Sequence, residues 1–506
     1  MSVSINIVPS SSRLHMFGDP DPLSAYSLSG HVSISLSSPY SFFSTRRTAR
    51  VLLESVSLTF EGQSEINTPE TGYAAIRLCS VSRDVAPSEP MELTNHGHED
   101  DTCTCQWNVI FNLPIPGWLP ATSTLGLEEL GVRYALYATA KFIMLDSEDN
   151  HRHSWSLATL CAPFRSRVRS VDASTPIKLD RFISPDPHPP PMTNYLVNPT
   201  PKDSPRIPRE VLSKIQVLAS VPEFVNIQDT SVPITLRMRT RDLTGDECKR
   251  LQIANLSINI IQHEKFRIRP SPAYLTSFPL PPAPMQPPNL PLRDPHPIST
   301  LYDLSILHAS SSGNAEAITR SFSLLPRGDD GTYKLSSDNY AFIDDFKLSS
   351  DATPTWYTME THVPFAQLSS ASVDEEQESW AGEPVIRESA AGALWVVWHD
   401  LKVDVTFLYD LDGGEKARET LGFSVPLRFG REAPLRSLDS TTTPLSPPSL
   451  SHLKATLPPY SQLYDSNGDR KIDYSVPLPL YTPPKLPLYQ TAEGERDWKD
   501  GLRAAL

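Results

Sequence analysis

The 506-residue chain exceeds one ordinary domain, and its 39% hydrophobic content leaves room for two or three folded units. Fifty prolines, roughly twice average usage, mark part of it as irregular. A net charge of −14 excludes a general nucleic-acid binder, because phosphate neutralisation needs a surface where Lys and Arg dominate.

Met1 to Ser12 lacks a basic stretch followed by an apolar run, and nowhere do about 18 consecutive apolar residues occur. The expectation is a soluble, cytoplasmic protein. Its five cysteines (Cys79, Cys103, Cys105, Cys161 and Cys248) are few and odd in number, which fits reduced thiols better than a disulfide framework.

Apolar and polar residues then alternate with period two, the mark of half-buried strands. Val32, Ile34 and Leu36 alternate with serines. Leu52, Val56, Leu58 and Phe60 share one phase, broken only by Glu54, up to an expected stop at Gly62. Cys103, Cys105, Trp107, Val109 and Phe111 form another apolar phase, and Val132, Tyr134, Leu136, Ala138, Ala140 and Phe142 a third. This is a sandwich-type pattern, and it defines a first domain over residues 1–175. Pro185, Pro187 and Pro189 to Pro191 then force extended geometry, so residues 176–210 read as a linker.

Strand patterning resumes near Ile215 and opens a second β domain over 211–432. It passes through Ile234, Leu236 and Met238, then Leu256, Ile258 and Ile260. A Pro-dense stretch from Pro270 to Pro297 and an acidic one from Ser369 to Glu378 read as long surface insertions. Leu401, Val403, Val405, Phe407 and Tyr409 alternate with mostly polar residues, Asp412-Gly413-Gly414 turns, and Phe423 to Phe429 returns. Residues 433–506 are rich in Pro, Ser and Thr without strand periodicity, apart from a short helical pattern over 496–506, and are expected to be a disordered tail.

That tail carries three motifs of the form Leu-Pro-x-Tyr: Leu457, Pro458 and Tyr460; Leu478, Pro479 and Tyr481; Leu486, Pro487 and Tyr489. Composition alone yields roughly 0.2 matches in a tail of this length, so a docking array is the reading preferred over low-complexity coincidence. In polyproline II, with three residues per turn, the first and fourth positions project from one side, and Pro at the second lowers the entropy lost on docking. The pattern fits WW domains, whose aromatic groove takes the Pro ring and whose pocket takes Tyr. Three weak contacts on one flexible tail gain avidity on a partner with several WW domains.

The order of elements resembles the arrestin family, specifically the fungal arrestin-related trafficking adaptors, or α-arrestins. The resemblance is carried by Ser27-Leu-Ser-Gly-His-Val-Ser-Ile, Val56-Ser-Leu-Thr-Phe-Glu-Gly-Gln, Phe111-Asn-Leu-Pro-Ile-Pro-Gly-Trp-Leu-Pro, Val132-Arg-Tyr-Ala-Leu, Val403 to Tyr409 and Phe423-Ser-Val-Pro-Leu-Arg-Phe-Gly. It covers roughly residues 20–430, with the two insertions as departures. It implies an all-β fold of two consecutive arrestin-like (immunoglobulin-like) β-sandwich domains before the tail. It further implies an adaptor, not an enzyme, linking cytosolic segments of membrane transporters or receptors to a WW-domain HECT-type ubiquitin ligase. Recruitment from the cytoplasm to plasma membrane and endosomes follows. An arrestin-like scaffold of ambient-pH signalling, or an endosomal cargo-sorting subunit, is the alternative. No buried charged cluster of the kind visual arrestins use as a switch can be assigned from the sequence, so no activation mechanism is carried over.

Arg237, Arg239 and Arg241 alternate along one strand and could meet acidic cargo segments or an anionic membrane; a plain solvated strand face is the simpler reading. Arg165, Arg167 and Arg169 repeat the spacing. Ser184, Ser204, Thr443 and Ser446 each precede Pro in the linker or tail, where a proline-directed kinase could add charge. Asp465, Asn467 and Asp469 have EF-hand spacing, but Arg470 stands where Gly is needed and Val476 where a bidentate Glu belongs. His96, His98, Cys103 and Cys105 lack the spacing of a zinc finger. No metal, cofactor or catalytic motif is expected.

Overall fold

The period-two patterning is realised as strands almost throughout. The computed structural model describes residues 2–37, 49–85, 89–95, 105–125, 130–145, 168–183, 191–201, 206–303, 315–335, 339–342, 356–366, 382 and 384–433. The protein is mostly β-sheet, and among the described residues helices are confined to short turns.

The first half contributes β1 (Ser2–Pro9), β2 (Arg13–Phe17), β3 (Ala25–Ser37), β4 (Ala49–Thr68), β5 (Gly72–Asp84), β6 (Met91–Asn95), β7 (Cys105–Pro116), β8 (Ser123–Leu125), β9 (Leu130–Met144) and β10 (Val168–Phe182). They build a three-stranded sheet, β1-β3-β7, and a larger one in the order β2-β10-β9-β4-β5 with β6 and β8 attached. The second half begins with β11 (Met192–Val197), β12 (Thr200–Pro201), α1 (Arg209–Leu212), β13 (Ile215–Pro222), β14 (Val225–Asn226), β15 (Ser231–Thr240), α2 (Gly245–Arg250) and β16 (Leu251–Arg267). It continues with α3 (Pro272–Ser277), α4 (Ile298–Asp303), β17 (Ala317–Ser323), β18 (Thr332–Lys334), β19 (Tyr357–Pro364), β20 (Ala390–Ala391), β21 (Trp395–Asp410), β22 (Lys416–Leu427) and β23 (Phe429–Gly430). Here the sheets are β11-β13-β15-β19 and β12-β22-β21-β16-β17, plus the short parallel pair β14-β23. The two large sheets share one topology: β16, β17, β21 and β22 stand where β4, β5, β9 and β10 stand in the first.

Each sheet pair closes on its own core. Val32, Ile34 and Leu36 of β3 meet Val56, Leu58 and Phe60 of β4 and Leu136 and Ala138 of β9, all essentially without solvent contact. Val217, Leu236, Ile258, Val403 and Phe407 do the same in the second. Each such side chain contributes about 1.5–3 kcal/mol over an exposed one. Cys79 and Cys248 are buried and outside any disulfide, and burial raises the Cys79 pKa to about 12.

Four local readings change. Leu52 does not share the inward phase of Val56, because a bulge between Leu53 and Ser55 shifts the register and turns Val51 and Leu53 inward instead. Gly62 does not end β4, which runs on to Thr68. A Cβ at Gly62 would lie 2.5 Å from the Tyr134 ring, itself stacked on Phe60, so glycine serves a close approach and not a stop. Within 176–210, expected as a linker, the second half of β10 and strand β11 are both sheet members, since Pro185, Pro187 and Pro189 to Pro191 fall between them and interrupt neither strand. The hairpin after Asp412 returns already at Lys416, with Gly414 supplying the positive φ of the turn.

The Pro-rich stretch after β16 does more than loop through solvent. It leaves the second sheet pair, carries α3 and α4, and lies across the first. Tyr274 and Ala393 to Trp395 join the first core, and Phe278 stacks on Trp118 at 5.5 Å. Residues 1–434 form one compact unit.

Candidate functional site

Of the residues the sequence singles out, Leu457 to Tyr489, Thr443 and Ser446 in the tail and Ser184 and Ser204 lie outside the described residues. So do the whole acidic insertion, the EF-hand-like stretch, and most of the His96 to Cys105 group. Among the described residues no group of three or more His, Cys, Asp or Glu side chains could hold a metal ion. No described helix is long and apolar enough to cross a membrane.

The arginine row falls on β15 and just beyond it. Arg237 is exposed on the outer face, flanked by Leu218 of β13 and Thr358 of β19. Arg239 is tied down: its Nε donates to Gln216 Oε1 at 2.9 Å and its guanidinium lies 4.3 Å from the Trp356 ring centre. Arg241 follows the strand, with its Nε 3.5 Å from Asp242 Oδ2 at a residue of positive φ. The row is thus not three equivalent guanidiniums. The same face carries exposed Met192 and Leu196 of the edge strand β11, giving it a cationic centre and an apolar margin.

The most organised chemistry lies elsewhere, in two buried polar clusters that the sequence does not announce. On β4, Glu61, Gln63 and Glu65 occupy the face opposite Phe60 and Ile66, yet are 3%, 4% and 0% exposed. Gln63 Nε2 donates to Glu65 Oε2 at 2.9 Å and to the Asp294 carbonyl at 2.7 Å. Glu65 also accepts from Arg133, the Tyr73 hydroxyl and the backbone N–H of His296. Burial, then that hydrogen bond, raises the Tyr73 pKa and keeps its proton on. Glu61 pairs with Arg77 Nε at 3.1 Å and accepts from the Arg293 N–H.

The second cluster sits at the matching place on β16. Gln262 Nε2 donates to Glu264 Oε1 at 2.7 Å and to the Val385 carbonyl at 3.0 Å. Glu264 pairs with Arg320 Nε at 2.7 Å and Arg387 Nε at 3.0 Å. Gln262 Oε1 accepts from the Arg387 N–H and faces His399 Nε2 at 3.1 Å, while His399 Nδ1 faces Ser389 Oγ at 2.9 Å. Those partners suit a neutral imidazole with its proton on Nε2, and burial lowers the His399 pKa from 6.5 to about 3. Arg387 also donates to the Thr124 carbonyl, tying the second sheet pair to the first.

Where the two pairs meet, a cavity of ≈180 Å³ is lined by Arg181, Glu388, Arg428, Arg431 and three phenylalanines. Arg181 donates to the carbonyls of Gly18, Gly117 and Leu119, and burial lowers its pKa. Glu388, whose pKa burial raises, pairs with Arg431 at 3.1 Å, and Arg428 pairs with Asp19. The Arg428–Asp19 pair joins the second sheet pair to the first.

No protein-family model matches the chain, and no curated protein sequence matches it.

Proposed function

We propose that this protein is an arrestin-like trafficking adaptor: two arrestin-like sandwiches engage a cytosolic segment of a membrane transporter or receptor, and the tail recruits a WW-domain HECT-type ubiquitin ligase. The observation that carries the reading is the triple Leu-Pro-x-Tyr array at 457–489, against roughly 0.2 expected by composition. The order of family-like strand segments ahead of it, in a chain that is mostly β-sheet, supports the same reading. The mechanism is proximity. Holding cargo and ligase on one molecule makes ubiquitin transfer effectively intramolecular, with no chemistry by the adaptor itself. The exposed Arg237, on the same sheet face as Met192 and Leu196 of the edge strand β11, suits acidic cargo segments or anionic lipid.

The test is a pull-down from cell lysate with wild-type protein and with Tyr460→Ala, Tyr481→Ala and Tyr489→Ala combined. WW-domain ligases are expected to be captured by the wild type and lost from the triple variant, with each single change costing only modestly because avidity is shared. Equal capture by both would remove the ligase from the reading.

A further inference from the structure

The charges on β4 are buried for one reason: a proline-rich strap lies over them. Glu61, Gln63 and Glu65 point away from their own core, so with residues 281–297 lifted they would face water. The strap originates in the other sheet pair, and His296 reaches Glu65 across 231 residues of chain.

The contacts read its backbone. Arg77, itself 1% exposed, donates through its guanidinium to the carbonyls of Met285, Leu290 and Pro291. Gln63 and Arg133 donate to the carbonyl of Asp294. Glu61 and Glu65 accept the N–H groups of Arg293 and His296. In return the Gln286 side chain takes both main-chain groups of Arg77, accepting its N–H at 2.8 Å and donating to its carbonyl at 2.9 Å. Most strap side chains, Pro282, Pro284, Pro288, Leu290 and Pro291 among them, are exposed, and Leu292 is the one buried apolar anchor within 281–297. A row of side-chain donors and acceptors that grips main-chain groups of a proline-restricted segment, here turned by a 3-10 helix at Ala283–Met285, is one way a surface recognises peptide.

We propose that the outer face of β4, β5 and β9 is a binding site for proline-rich peptides, which the chain's own 281–297 segment fills in the resting protein. A purely structural contact of this size would be expected to bury apolar side chains. This one instead buries ion pairs, whose Coulomb gain is nearly offset by desolvation and which lose little when both partners return to water. The closed state therefore yields to a competing peptide. The strap, tethered at both ends, holds an effective concentration of about millimolar, which such a peptide must exceed in trans.

The experiment is a titration of the full chain with a fluorescent peptide of residues 281–297, read by anisotropy. It compares wild type with Gln286→Ala plus Arg293→Ala, changes on the strap that leave the receiving face intact. Amide exchange at His296, whose acceptor Glu65 the double variant leaves intact, is expected to accelerate and reports that the strap has loosened. The loosened protein is expected to bind the peptide at least about tenfold more tightly than wild type. A peptide with every proline replaced by glycine should bind more weakly, and adding Arg77→Ala to the loosened protein should abolish binding. Faster His296 exchange without any gain in peptide affinity would overturn the proposal, as would equal affinity of the glycine peptide. Unchanged exchange at His296 would overturn it too, by showing that the strap is not held by these contacts.

Discussion

The two sheet pairs solve one problem in two ways. Each places a Gln-x-Glu pair at the same position of its longest central strand, Gln63 and Glu65 on β4 and Gln262 and Glu264 on β16. Each covers that pair with a segment from outside the strands, whose backbone the glutamine side chain grips. The covers differ. Over Glu264 the segment belongs to the same sheet pair and brings its own guanidinium, Arg387; with Arg320, 3% exposed, it forms a closed triad. Over Glu65 the cover comes from the opposite sheet pair, and the paired Arg133 remains 33% exposed. The same motif is therefore a fixed strut in one half and a removable contact in the other, and solvent access to the cation makes the difference.

The sharpest way to break that comparison is to delete the carboxylates in turn. Glu264→Ala leaves two guanidiniums buried without a counter-charge and is expected to cost about 3–5 kcal/mol in urea unfolding of the whole chain. Acid probes the same contrast without mutation, because His399 stands beside Gln262 where Arg133 stands beside Gln63. With its pKa lowered by burial to about 3, His399 stays neutral in the folded protein while the unfolded chain takes up a proton near 6.5. Its contribution is complete above pH 6.5 and is lost as pH falls from there toward 3, on the order of 3 kcal/mol by pH 4. Unfolding midpoints measured over that range should fall for wild type and flatten for His399→Gln; identical slopes would deny the imidazole this part. Glu65→Ala is expected to be milder, about 1–3 kcal/mol, since Arg133 can hydrate while Gln63, Tyr73 and His296 lose an acceptor. A cost for Glu65→Ala equal to that for Glu264→Ala would mean the two clusters are equally closed.

Much of the sheet arrangement could be read ahead of the fold. The phases of Val132 to Phe142 and Leu401 to Tyr409 are buried as read, because strand side chains alternate whatever the sheet they join. The bulge beside Glu54 was not readable, since one extra residue in a ladder depends on the partner strand. Nor was the fate of Arg239, which looks like its neighbours in sequence and is distinguished only by Gln216 and Trp356 arriving from other strands. The clusters were hidden for a related reason. Glu61, Gln63 and Glu65 have the alternation of a solvated strand face, and nothing local distinguishes such a face from one that a distant segment will cover.

By itself the sequence determined the strand content and the three tail motifs, both of which depend on residue order over fewer than about ten positions. The tertiary structure alone decided which polar residues are buried. That property arises when the chain between β16 and β17 crosses to the other sheet pair and lays its backbone over Glu61 and Glu65. Local patterning cannot specify a contact spanning 231 residues; only the packing of two completed sheet pairs brings the strap within reach.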